Sequence, residues 1–160
     1  MAGRRGRGTG VGNGGHKWCR PVVWARYRAG MTEAAVDNVR EWAAIAARAA
    51  VDKKGDDTLI LEVGRILAIT DAFVITSGTN PRQVRTIAEE VEAKIKEHGG
   101  PAPRWVEGLA DATWVLLDYG DFVVHVFLDE TRRFYELERL WADSPRWSWE
   151  DTDRVAVAGD

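Results

Sequence analysis

Between residues 32 and 50 apolar positions recur every three or four residues, at Val36, Val39, Ala43, Ala46, Ala47 and Ala50. That spacing lines one face of a helix, with Thr32 as its N-cap and Gly55 beyond its end. The pattern then changes to two strand-like runs, 58–63 and 73–76, joined through residues 64–71. After Ser77-Gly78-Thr79, Asn80 reads as an N-cap, Pro81 as the first helical residue and Gln83 as the capping-box partner. Val84, Ile87, Ala88, Val91 and Ile95 form the buried stripe of this second helix, and Gly99-Gly100-Pro101 ends it. Three further strands are expected at 105–107, 113–118 and 122–128. A last helix over residues 130–141 carries Phe134, Leu137, Leu140 and Trp141 on one side and stops before Pro145. The order α-β-β-α-β-β-β-α predicts a single α/β domain: a mixed sheet of about five strands with three main helices packed against it.

Residues 113–128 hold the most information. A two-residue loop at Tyr119-Gly120 would pair Asp118 with Asp121, Leu117 with Phe122, Leu116 with Val123, Val115 with Val124 and Trp114 with His125. Alternation then sorts the hairpin into two faces. Val115, Leu117, Phe122, Val124, Val126 and Leu128 make one face wholly apolar, the side expected beneath the helices. The other face mixes Trp114, Leu116, Val123, His125 and Phe127 and ends in Asp118 and Asp121. A solvated sheet face is normally polar throughout. Apolar area with an acidic end suits docking of a basic partner, because burial supplies affinity and the carboxylates steer the approach. The plainer alternative is a second layer of structure over this face, with His125 a half-buried, satisfied histidine.

Charge sharpens the picture. The net charge of −3 over 160 residues conceals an asymmetry: residues 1–30 hold seven of the 22 basic residues and no acid. The 15 basic residues that follow face all 25 acidic ones, so the remainder carries −10. An acidic body repels phosphate backbones and attracts basic surfaces. The first 30 residues also contain eight of the sixteen glycines and no periodicity, and they are expected to be a disordered arm. A second reading takes Met31 as the true start, since order begins there. The domain is expected over 31–143, followed by a loose acidic tail at 144–160. No apolar stretch is long enough for a membrane span, and the single cysteine, Cys19, fits a reducing, cytoplasmic setting.

Catalytic chemistry is poorly supported. Paired aspartates and a Ser77-Gly78 turn before a helix raise a nucleotidyltransferase alternative. Such an enzyme needs alternating carboxylates on the strand after that helix, and 105–107 offers only Glu107. His16 lies in the arm, His98 sits at a helix end where it complements the dipole, and only His125 has a structured setting. Three scattered histidines show no metal-ligand spacing. A binding protein without metal or cofactor is expected.

Several runs resemble the ribosomal silencing factor (Iojap-like) family. They are residues 71–84 (DAFVITSGTNPRQV), Glu107-Gly108, residues 114–121 (WVLLDYGD), Val124-His125-Val126 and residues 133–141 (RFYELERLW). They lie in order across 32–143. The resemblance implies a nucleotidyltransferase-like fold without the catalytic carboxylates. It implies a translational repressor that binds the large ribosomal subunit at its fourteenth protein and blocks joining of the small subunit, with a link to large-subunit assembly. Carried over residue by residue, it implies docking positions at Glu107, Trp114, Leu116, Asp118, Tyr119, Asp121 and His125. It leaves self-association as a homodimer open and implies neither a membrane partner nor sequence-specific nucleic-acid binding.

Overall fold

A computed structural model describes residues 33–150, apart from 65, 66 and 68, with side chains described from Asn38 onward. The basic arm, the expected cap Thr32 and the tail beyond residue 150 lie outside the described residues. The first helix, α1 (Glu33–Asp52), leads into β1 (Asp56–Glu62) and β2 (Ala72–Gly78). Helix α2 (Pro81–Glu97) follows, then β3 (Trp105–Glu107), β4 (Trp114–Asp118) and β5 (Phe122–Leu128). The chain continues into two short helices, α3 (Asp129–Tyr135) and α4 (Leu137–Leu140), and a two-residue strand, β6 (Arg146–Trp147).

The six strands form one sheet in the order β3-β4-β5-β2-β1-β6. Only β2 and β5 are parallel, with Ala72 beside Phe122 and Gly78 beside Leu128; every other neighbouring pair is antiparallel. The sheet is mixed, as the element order predicted. Every residue of β2 is buried, as a strand covered on both faces requires.

Helices α1 and α2 cover one face. Val39, Ala43, Ala46, Ala47 and Ala50 of α1 meet Val84, Ile87, Ala88, Val91 and Ile95 of α2 over Ile60, Val74, Val115, Leu117, Phe122, Val124 and Val126. The small side chains of α1 allow close approach, while the branched residues of the sheet fill the space above the pleat. At the start of α2 the Oδ1 of Asn80 accepts from the Gln83 amide at 2.9 Å. The reciprocal bond differs from a standard capping box: Gln83 Oε1 accepts from the Thr79 amide at 2.8 Å rather than from that of Asn80. His98 is the C-cap of the same helix, its Nδ1 2.8 Å from the Lys94 carbonyl oxygen.

Three expectations need correction. The hairpin loop is Gly120-Asp121, not Tyr119-Gly120: the Tyr119 amide donates to the Phe122 carbonyl at 3.0 Å, and Trp114 pairs with Phe127 and Leu116 with His125. Gly120 takes φ +87°, the left-handed conformation that a type II′ loop demands of its first residue. Each pairing shifts by two residues, so the membership of the two faces is unchanged.

The last helix is broken. Glu136 adopts φ 44°, ψ 51°, and the Glu136 amide closes the end of α3 on the Arg132 carbonyl. Consequently Leu137 and Trp141 turn inward whereas Phe134 and Leu140 stand exposed, instead of all four sharing a buried side.

Part of the tail is ordered. Arg146 and Trp147 pair with Leu61 and Ile60, adding a sixth strand. Trp147 Nε1 donates to Glu62 at 3.0 Å, Arg40 lies 4.8 Å above the Trp147 ring, and Arg48 donates to the Trp149 carbonyl at 3.2 Å.

The second face of the sheet is half covered. Leu61, Val63, Phe73, Ile75 and Phe127 form a smaller core there, closed by Leu67, Leu137 and Trp141. Arg132, 7% exposed, pins this cover. Its Nε donates to Glu138 at 2.6 Å, Nη1 to the Asp56 carbonyl at 3.1 Å and to Ser77 Oγ at 3.2 Å, and Nη2 to the Asp57 carbonyl at 2.8 Å. The ladder between β1 and β2 is irregular between Asp56 and Leu59, and Asp57 has φ 46°. The guanidinium therefore supplies donors where the ladder lapses.

Candidate functional site

The uncovered half of the second face belongs to β3 and β4. Opposite partners in a ladder project to the same side, so the pairing defines three rows across the sheet. Glu107, Leu116 and His125 make one row, Trp105, Asp118 and Val123 a second, and Trp114 with Phe127 a third. Five of the seven sequence-derived positions are therefore brought to one region of this face: Glu107, Trp114, Leu116 and Asp118 on it, and His125 beneath it. Glu107 is exposed, while Trp114, Leu116 and Asp118 are half-buried. Asp121, also exposed, stands at the adjoining loop.

Two side chains are not on the surface. Tyr119 projects to the helix-covered face, buried and stacked on Phe122 with ring centroids 4.6 Å apart and planes 7° from parallel. Its register position, odd like Leu117 and Val115, puts it there. Burial, and secondarily the charge of Glu92, raises its phenol above the usual range, so it stays protonated. His125 is 5% exposed, against Phe73 edge-to-face at 4.9 Å. Trp114 Nε1–H donates to His125 Nδ1 at 3.1 Å, so Nδ1 is the bare nitrogen and Nε2 bears the proton. Burial lowers the His125 pKa to about 4, and the ring is neutral near pH 7. Its role is to seat Trp114 from below. Trp114 in turn rests on Phe127 at 4.8 Å and meets Tyr135 of α3 at 5.2 Å, so it belongs partly to the second core.

The acidic members are individually held. Trp105 Nε1 donates to Glu107 Oε1 at 2.7 Å, and Asp118 Oδ1 accepts the Gly120 amide at 2.7 Å. The chain between β3 and β4 is fixed by Gly108, whose φ of +84° excludes other residues and whose Cβ would run into the Trp114 carbonyl. Arg85 of α2 completes the fixing, donating to the Leu109 and Ala110 carbonyls at 2.9 and 2.6 Å.

Trp105, Arg132 and Tyr135 were not read from the sequence as site residues. Trp105 was accessible to that reading, because two-residue spacing from Glu107 places it on the same face. Arg132 gave no signal and Tyr135 only as part of the run 133–141, since the positions of both side chains depend on the break at Glu136.

The nucleotidyltransferase alternative finds no support in this geometry. Ser77 is buried, its Oγ donating to the Asp56 carbonyl at 3.3 Å and accepting from Arg132. At the start of α2 the Gln83 amide is taken by Asn80, and the Thr79 amide just before the helix by Gln83. Among the described residues no three His, Cys, Asp or Glu side chains gather as metal ligands. The fold is that of a mixed α/β protein whose sheet leaves an acidic and aromatic face half open.

Comparison with known proteins carries this further. Residues 36–159 match the family model for the ribosomal silencing factor during starvation, and the chain belongs to that family. It is 43% identical over 101 residues to the ribosomal silencing factor of Bacillus subtilis, a match covering 63% of this chain and 85% of that protein. It is 34% identical over 88 residues to the mouse protein named for mitochondrial assembly of the ribosomal large subunit, covering 53% of this chain and 38% of that one. A crystal structure of a Chromobacterium violaceum protein superposes with a TM-score of 0.61 at 35% identity, over 64% of this chain and 84% of that one. The relatives' names denote silencing and assembly factors rather than enzymes.

Proposed function

We propose that this protein silences translation by binding the large ribosomal subunit at its fourteenth protein and obstructing the small subunit. The observation that carries the reading is the uncovered half of the sheet, where Glu107, Leu116, Trp114 and Asp118 share a face on a body of charge −10 from residue 31 onward. Ribosomal proteins are basic. An acidic face with an apolar centre meets such a surface with favourable steering and with area to bury. Trp114 is the anchor, held in one orientation by His125, Phe127 and Tyr135, so little side-chain freedom is lost on docking. Glu107 and Asp118 set the approach, and Asp121 extends the acidic edge. Tyr119 supports the loop from inside instead of touching the partner.

Occlusion needs no bond-making step. It requires occupancy of the large subunit that outcompetes the intersubunit contact at cellular concentration. The protein would act where free large subunits accumulate, in the cytoplasm, and the same contact would serve during large-subunit assembly. Among the described residues no helix is long and apolar enough to cross a membrane.

Subunit association followed by light scattering tests this directly. Large subunits preincubated with excess protein should fail to associate with small subunits, and Asp118→Lys should restore association most effectively at low salt. Unimpaired association at saturating protein would overturn the proposal.

A further inference from the structure

After α4 the chain crosses from one side of the sheet to the other. Trp141 packs against the smaller core on the second face, whereas Trp147 and Trp149 pack against the core beneath α1 and α2. The crossing runs along the outer edge of β1. Ser144 is buried there, the Glu62 amide donates to the Pro145 carbonyl at 2.8 Å, and Arg146 and Trp147 pair with Leu61 and Ile60. Trp147 and Trp149 are half-buried while Arg146, Ser148 and Glu150 are exposed, so alternate residues of the segment turn inward.

The fastenings of this segment come from α1 and β1. Glu62, only 8% exposed, accepts the Trp147 indole N–H at 3.0 Å, and the Arg40 guanidinium lies 4.8 Å over the face of the same ring. Further along α1, Arg48 donates to the Trp149 carbonyl at 3.2 Å. Ladder bonds to an edge strand combined with pockets for alternate side chains are how folded domains hold extended peptides. The attachment is nevertheless slight. The ladder spans two residues, Pro145 has no N–H to donate into it, and neither tryptophan is fully buried. Elements held in this way open at a free energy well below that of global unfolding.

We propose that the groove between α1 and the outer edge of β1 is a strand-addition site for an extended peptide with tryptophan at alternate positions, and that residues 144–150 fill it as an exchangeable strap. Glu62 and Arg40 answer the N–H and the face of one indole, and Arg48 answers the backbone at the other. The chain's own segment is the occupant because tethering holds it beside the groove at high effective concentration. Seated, the strap joins α1 to β1 and denies the edge to other chains. Released, it uncovers only the end of β1 near Glu62, since Arg132 holds the carbonyls of Asp56 and Asp57 at the other end. The site lies at the opposite edge of the sheet from β3, apart from the docking face proposed above.

Amide hydrogen exchange of the full chain tests this, read at Glu62, whose amide donates to Pro145. In the wild type that amide should exchange faster than those of β2 and β5, at a rate independent of protein concentration, because the strap opens without global unfolding. Trp147→Ser/Trp149→Ser should speed its exchange about tenfold or more and leave β2 and β5 protected. An excess of a synthetic peptide of residues 144–150 should then restore protection at Glu62, and the same peptide with serine in place of both tryptophans should not. Arg40→Ala/Arg48→Ala, which loosens the strap from α1 alone, should likewise speed Glu62 exchange with β2 and β5 unaffected, and it serves should the tryptophan variant fail to fold. Wild-type exchange at Glu62 only at the rate of global unfolding would overturn the proposal. So would unchanged exchange in the arginine variant, or equal restoration by both peptides or by neither. Protection that rises with protein concentration would overturn it too, giving the groove to the strap of a second copy.

Discussion

Replacing Arg132 with methionine keeps most of its volume and removes its charge and donors. Its partners define the expected loss. Glu138 would keep a carboxylate whose side chain is 22% exposed, and the Asp57 carbonyl would lose its 2.8 Å donor. The Asp56 carbonyl would lose its 3.1 Å donor and keep the 3.3 Å bond from Ser77 Oγ. Removing one partner of a buried ion pair costs about 3–5 kcal/mol, and partial hydration of Glu138 places this case near the lower end, about 3 kcal/mol. For a domain of this size such a loss lowers the melting temperature by roughly 10–20 °C. Urea unfolding of Arg132→Met measures it. Arg132→Met/Glu138→Leu, which removes the stranded carboxylate as well, should be more stable than the single variant. A single variant within about 1 kcal/mol of wild type would refute the claim that Arg132 pins the cover of the second core.

Leu117→Ala, beneath both long helices, should destabilise the fold by roughly 2–5 kcal/mol in the same assay and leave binding by the folded fraction unchanged. Gly108→Ala should lose about 1–3 kcal/mol or more, because it combines a positive φ with a collision against the Trp114 carbonyl. His125 should make stability pH-dependent. Its folded pKa of about 4 lies below the unfolded value near 6.5, so the unfolded chain takes up the proton first. The contribution is intact above pH 6.5 and is lost as pH falls toward 4, up to about 3 kcal/mol. His125→Gln should abolish that part of the slope, and an unchanged slope would contradict it. Trp114→Ala should weaken large-subunit binding and also lower stability, because the indole packs on Phe127; unchanged stability would show that it stands free of the second core.

Much of the architecture was legible because periodicity reports which face is buried. The stripes at Val39–Ala50 and Val84–Ile95 and the alternation in 113–128 each led to the correct side of the core. Register was less legible, since both loop choices satisfy the same alternation; what separates them is that Gly120 must occupy the first loop position. Strand β6 was hidden by its two-residue length, and its place depends on Trp147 finding Glu62 and Arg40, contacts far away in sequence. The break at Glu136 left no trace, because no glycine or proline marks it and residues 130–141 keep a helical period throughout. Five of the seven candidate positions came together around the open face. Tyr119 was assigned to docking when its parity already placed it with Leu117.

The central claim is tested most directly by fractionating an extract that contains the tagged full-length protein on a sucrose gradient. The protein should be found with free large subunits and be depleted from joined ribosomes and from small subunits. An equal distribution over all ribosomal fractions, or none on the large subunit, would contradict it.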